Sequence, residues 1–124
     1  MSVAEKSTIL IVEDEFLVRM AAVDLVEEAG FLALEAGNAD EAIAILEERP
    51  EVRLVLTDID MPGTMDGLKL AHYVRSRWPP IHLIIASGKA MVEEADLPSG
   101  TRFLAKPYQG TVMSEALLAM LGPT

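Results

Sequence analysis

Short apolar runs alternate with helix-period stretches along the chain, and the two spacings predict a succession of strands and helices. TILIV (Thr8 to Val12) reads as a first strand. A helix is expected from about Phe16 to Ala29, stopped by Gly30. FLALEA (Phe31 to Ala36) predicts a second strand. Asn38, with Glu41 three residues on, makes a capping-box-like start for a helix that runs up to Pro50. LVLTDIDMPGTMDG (Leu54 to Gly67) opens as a third strand. A helix over about 67–78 should follow, with Leu70, Val74 and Trp78 on one face and Pro79-Pro80 ending it. IHLIIA (Ile81 to Ala86) predicts strand four. The next helix is short, about Ala90 to Asp96, because Leu97-Pro98-Ser99-Gly100 breaks it. RFLA (Arg102 to Ala105) predicts a fifth strand, and GTVMSEALLAMLG a last helix with Val112, Ala116 and Met120 on one face.

Strands alternating with helices imply right-handed βαβ crossovers and one parallel, doubly wound α/β sheet with helices on both faces. The loops at the carboxyl ends of the strands then share a rim, where open α/β sheets place ligands. On that rim fall Glu13 and Asp14, Asp58 and Asp60, Ser87, and Lys106.

At 124 residues the chain is read as one domain, 1–124, with no room for a second sizeable module. Its net charge of −10 repels phosphate backbones and anionic membrane surfaces, so neither nucleic acid nor membrane is expected as a partner. With no cysteine, disulfides and thiol chemistry are excluded, and no apolar run approaches a membrane span. A cytoplasmic location is the expectation.

The rim residues have ordinary readings one by one: Glu13 and Asp14 as helix caps, Ser87-Gly88 as a turn, Lys106 as solvated charge. Converging carboxylates, however, repel one another unless a cation offsets them. Mg²⁺ or Mn²⁺ suits an open acidic rim, because such ions take a few carboxylates together with water and phosphate oxygens. A nucleophilic aspartate flanked by a metal, a hydroxyl and an ammonium can form an acyl phosphate. His72 and His82 make no metal motif and read as helix-surface and strand-end residues. Met61, Met65 and Met91 lie in the rim loops, where they could form an adaptable docking patch.

ILIVEDE, LVLTDIDMPGTMDG, IIASG and FLAKPY, in this order and each at a strand end, resemble the motifs of the receiver domains of two-component response regulators. The resemblance covers nearly the whole chain. It implies a flavodoxin-like, five-stranded sheet of order 2-1-3-4-5 and a stand-alone, CheY-like receiver with no output domain. It further implies that Asp58 accepts a phosphoryl group from a sensor histidine kinase, and that Glu13, Asp14, Asp58 and the backbone carbonyl of Asp60 hold Mg²⁺. Ser87 would hydrogen-bond the phosphoryl oxygens, Lys106 would pair with the acceptor Asp58 and then with the phosphoryl group, Ser87 and Phe103 would form the switch, and the Lys106–Pro107 peptide would be cis. Similar receivers accompany kinases of the HWE type, and the downstream protein is unknown.

Such a domain assists its own phosphotransfer and dephosphorylation, yet signals rather than turns over a substrate. The chain departs from the family in Glu13, where aspartate is usual, in a longer loop after Asp58, and in a shortened segment between Ser87 and Lys106. Phe103 lacks a hydroxyl, so switching would rest on packing. A metal-dependent aspartyl-phosphate phosphatase, with Asp58 as nucleophile and Asp60 as acid/base, is the rival reading. A degenerate receiver that only binds is the other.

Overall fold

The computed structural model describes residues 6–59, 66–88 and 94–122. Five strands form a parallel sheet: β1 (Thr8–Val12), β2 (Leu32–Ala36), β3 (Val52–Asp58), β4 (His82–Ser87) and β5 (Arg102–Ala105). Their order is β2-β1-β3-β4-β5, as the family resemblance implies. Among the described residues there are four α-helices: α1 (Phe16–Glu28), α2 (Ala39–Glu48) and α3 (Gly67–Arg77) connect strands, and α4 (Gly110–Leu121) follows β5. The expected helix over 90–96 lies partly outside the described residues. Its described end is a single 3-10 turn, Glu94–Asp96.

Local chemistry sets the helix ends. The Asn38 side chain accepts from the Glu41 N–H at 2.9 Å, while Glu41 Oε1 accepts from the Gly37 N–H at 3.2 Å, a reciprocal cap for α2. Asp66 caps α3 by accepting from the Lys69 N–H at 2.9 Å. After α1, the Gly30 N–H donates to Glu27 and the Phe31 N–H to Val26, with Gly30 at φ 97°. That left-handed residue closes a Schellman motif and turns the chain into β2.

The sheet separates two apolar layers, because successive strand residues point to opposite faces. Leu10, Val12, Val55, Leu83 and Ile85 pack against α2 and α3. Ile9, Ile11, Leu54, Leu56, Ile84 and Leu104 pack against α1 and α4. In α3, Leu70 and Val74 are buried and Trp78 packs at the edge, as the spacing predicts. In α4, Met113, Ala116 and Leu117 are buried and Met120 packs at the edge of the same layer, so Ala116 and Met120 of the expected stripe face the core while Val112 is exposed. Apolar residues surround most of that helix, so spacing alone cannot select the buried face.

His72 is exposed on α3 and pairs its Nε2 with the Asp96 carbonyl at 2.8 Å. His82 begins β4, half-buried. Burial, then the guanidinium groups of Arg53 and Arg75, hold its imidazole below the ordinary 6.5. A depressed histidine contributes stability that is present above 6.5 and is lost as pH falls through the lowered value. The thermal midpoint should therefore drop as pH falls from 6.5 through the lowered value, and drop less in His82→Gln. Parallel acid curves for the two proteins would refute this.

Candidate functional site

Strand alternation assembles the site. Glu13 continues the parity of Ile9 and Ile11, Asp58 that of Leu54 and Leu56, and Lys106 that of Leu104. All three side chains therefore leave the sheet on the α1/α4 side, at its carboxyl rim. A small recess there is bounded by Glu13, Thr57, Asp58, Ala86, Lys106 and Tyr108.

Lys106 Nζ donates to Glu13 Oε1 at 2.6 Å and lies 3.4 Å from Asp58 Oδ2. Carboxylate oxygens of Glu13, Asp14 and Asp58 come within 4.8 Å of one another. Glu13 is buried, Asp58 is half-buried and Asp14 is exposed. Burial pushes the Glu13 carboxyl above its ordinary 4.5, outweighing the hydrogen bonds from Lys106 and from the Glu15 N–H. Burial alone would lower Lys106, but its hydrogen bond to Glu13 and the charge of Asp58 carry it above 10.5. Tyr108 is raised as well, chiefly by burial.

The rim is held laterally by main-chain bonds. The Ile59 N–H donates to Ala86, the Gly67 N–H to Ile59, and the Lys106 N–H to Ser87, at 3.1, 3.0 and 2.9 Å. Asp58 pairs in register with Ala86, and Ser87 with Ala105. Ser87 is buried, on the opposite parity from Asp58. Phe103 is half-buried on the α2/α3 side, and the Lys106–Pro107 peptide is cis, as expected. Neither Glu13 nor Asp14 is the N-cap of α1; that residue is Glu15, whose side chain makes no capping hydrogen bond. Asp60, Met61, Met65 and Met91 lie outside the described residues.

Comparison with known proteins settles the family. The family model of the response regulator receiver domain matches residues 9–118. The chain is a response regulator receiver domain. It is 32% identical to the probable chemotaxis protein CheY of Rhizobium etli, over 98% of each chain. It is 37% identical to the sensor kinase CckA of Brucella abortus, covering 93% of this chain but only 12% of that protein. Among solved structures, a receiver protein of Sinorhizobium medicae superposes with a TM-score of 0.87 at 27% identity, covering 94% of this chain and 95% of that one. The receiver domain of the hybrid histidine kinase CckA gives 0.79 at 32% identity, covering 92% of this chain and 98% of that one. The receiver is thus a two-component signalling domain, and no helix among its described residues is long and apolar enough to cross a membrane.

Three features of the receiver's site were not foreseen. Arg19 NH1 donates to the Glu13 carbonyl at 2.8 Å while its Nε holds Glu35 at 3.0 Å. Gly67 sits directly against the Asp58 backbone. A groove of about 630 Å³ runs beside Lys106, lined by Leu17, Val18, Ala21, Leu25, Pro107 and Tyr108. The groove had a sequence signal, since α1 carries more apolar residues than one buried stripe requires: Phe16, Leu17 and Met20 remain 60%, 77% and 45% exposed.

Proposed function

We propose that this receiver accepts a phosphoryl group on Asp58 from the phosphohistidine of a sensor histidine kinase, with Mg²⁺ or Mn²⁺ bound, and that a partner protein distinguishes the two resulting conformations. The observation that carries the proposal is the meeting of three carboxylates and one ammonium on a single rim: Glu13, Asp14 and Asp58 within 4.8 Å, and Lys106 within 2.6 and 3.4 Å of two of them. One lysine offsets only part of three negative charges. Hard carboxylate oxygens match the donor preference of Mg²⁺, so the residues fit such an ion. Glu13, Asp14 and Asp58 would hold it, joined by the backbone carbonyl of Asp60 by family resemblance. When bound, the ion supplies positive charge for the phosphoryl oxygens.

The chain's own part is nucleophile, charge and fixed geometry. A carboxylate oxygen of Asp58 forms the bond to phosphorus as the phosphorus–nitrogen bond of the donor breaks. The departing imidazole keeps that electron pair and takes a proton from water, leaving an acyl phosphate. Lys106 counters the charge on the transferring group, and Ser87 donates its hydroxyl to it. Phe103, packed on the α2/α3 side, would change its packing with Ser87. That gives the two conformations a basis in side-chain packing.

The exposed apolar face of α1 beside the site supports a helical kinase surface as the phosphodonor. A receiver within a sensor kinase among the relatives supports a kinase partner, and the CheY relative supports a single-domain receiver; the HWE type of kinase and a cytoplasmic location belong to the proposal by family resemblance alone. The test is intact mass after exposure to acetyl phosphate, with Mg²⁺ and with a chelator. A gain of one phosphoryl group only in the presence of Mg²⁺ is expected. No gain from acetyl phosphate or from a phosphorylated kinase would sink the proposal, and sustained turnover of a small phosphoester would favour a phosphatase.

A further inference from the structure

Glu13 and Asp58 face the same ammonium, and the distances are unequal. The contact with Glu13, at 2.6 Å, is a short charge-assisted hydrogen bond, whereas the 3.4 Å gap to Asp58 exceeds ordinary hydrogen-bond length. Glu13 has little freedom to leave. Its N–H donates to the Ala36 carbonyl at 3.0 Å, its carbonyl accepts from Arg19 at 2.8 Å, and its Oε2 accepts from the Glu15 N–H at 3.2 Å. Main chain and carboxylate are both anchored, and only 4% of the residue is exposed. Side-chain length completes the arrangement. On this backbone an aspartate carboxylate would fall short by about one carbon–carbon bond, ~1.5 Å.

We propose that Glu13 is a positioning residue for Lys106. It parks the ammonium away from Asp58 and releases it toward the acceptor when the acidic cluster takes up a divalent cation. The inference rests on the reading of Asp58 as acceptor. A doubly charged ion among oxygens within 4.8 Å of one another attracts Glu13 more strongly than a single ammonium does, and it repels that ammonium. Lys106, freed from Glu13, then turns to Asp58, whose carboxylate already lies 3.4 Å away, and to the phosphoryl group arriving there.

Nitrogen-15 NMR of the lysine ammonium groups, at fixed pH below their titration, tests the assignment. A short hydrogen bond to a buried carboxylate slows proton exchange, so Lys106 should give a visible ammonium signal in the metal-free protein. It is identified by its absence in Lys106→Arg. Loss of that signal on adding Mg²⁺, and its loss in Glu13→Asp without Mg²⁺ but not in Asp58→Asn, is the expected result. Persistence of the signal in Glu13→Asp, or its disappearance in Asp58→Asn, would overturn the proposal, because the lysine's partner would then be Asp58. Indifference to Mg²⁺ would overturn the release step.

The backbone amide spectrum reports whether each variant is folded. Should Glu13→Asp unfold, Glu13→Gln keeps the side-chain length, removes the charge, and should lose the signal as well. The assay involves no phosphodonor. Failure of the wild type to gain phosphate would sink the functional reading while leaving the parking of Lys106 standing or falling on the NMR alone.

Discussion

Asparagine at position 58 is expected to give a folded protein that gains no phosphoryl group under conditions that fully modify the wild type. The substitution exchanges one oxygen for an amide nitrogen, so shape is kept while the nucleophilic carboxylate is removed. The local backbone bonds do not depend on the side chain: Thr57 Oγ1 donates to the Asp58 carbonyl at 3.0 Å, and the Ile59 N–H donates to Ala86 at 3.1 Å. Lys106 retains Glu13 at 2.6 Å, so no buried charge is orphaned. The charge of Asp58 is also one of the influences raising the Glu13 carboxyl, and its removal relieves that repulsion. Thermal stability should be equal to or slightly above that of the wild type. Intact mass and a melting curve on the same samples check both statements. Phosphate gained by a well-folded Asp58→Asn protein would show that the acceptor is another residue.

Alanine at position 67 is expected to lower the thermal midpoint on the order of 10 °C, from a loss of about 2 kcal/mol or more. Two effects oppose each other. Gly67 has no positive φ, so alanine suits its backbone and would stabilise by roughly 0.5–1 kcal/mol through the unfolded chain. Against this, a Cβ at 67 would stand 1.8 Å from the Asp58 carbonyl oxygen, 2.6 Å from its carbon and 2.8 Å from the Ile59 Cα. All three are main-chain atoms that cannot rotate away, so strand end and helix start must part. Overpacking of this kind costs roughly 1–3 kcal/mol or more, and the collision outweighs the entropy gain.

The parting also moves Asp58. Displacement of a reacting group by about 1 Å can slow chemistry on the order of 100-fold, so phosphorylation should suffer beyond the loss of stability. Gly88→Ala is the control, because among the described residues its Cβ would meet only the Lys106 Cβ, at an ordinary 3.5 Å. An unchanged midpoint for Gly67→Ala would contradict this close approach.

How much of this was legible in the sequence follows from which physical signal each part carries. Leu54, Val55 and Leu56 announce a strand buried on both faces, because no polar side chain interrupts them. The capping pair Asn38 and Glu41 is a local interaction, and local interactions are written in adjacent residues. The rim followed from topology, which brings every strand's carboxyl end to one side. The buried face of α4 followed only in part, Ala116 and Met120 but not Val112, because a helix apolar around most of its girth is placed by what packs on it. Lys106 does lie beside Asp58 as expected, but its nearer partner Glu13 was missed for a different reason. Counting by two from Ile9 reaches Glu13, and counting from Leu104 reaches Lys106, so strand parity held that information. The distance that favours Glu13 over Asp58 depends on side-chain reach across three strands. The collision at Gly67 depends on where two segments meet in space, which no spacing rule reports.

The sheet also acts as an insulating wall. Phe103 and Leu104 are neighbours in β5, yet one packs with the α2/α3 layer and the other with the α1/α4 layer. A change in side-chain packing on one side therefore reaches the other only through the peptide ladder or around the rim where Asp58 and Lys106 stand. Mutations that tune recognition on the α1 flank can accumulate with little disturbance to the flank carrying Phe103. The domain can thus alter what approaches it and what leaves it independently, like a wall with a different room on either side and a single doorway.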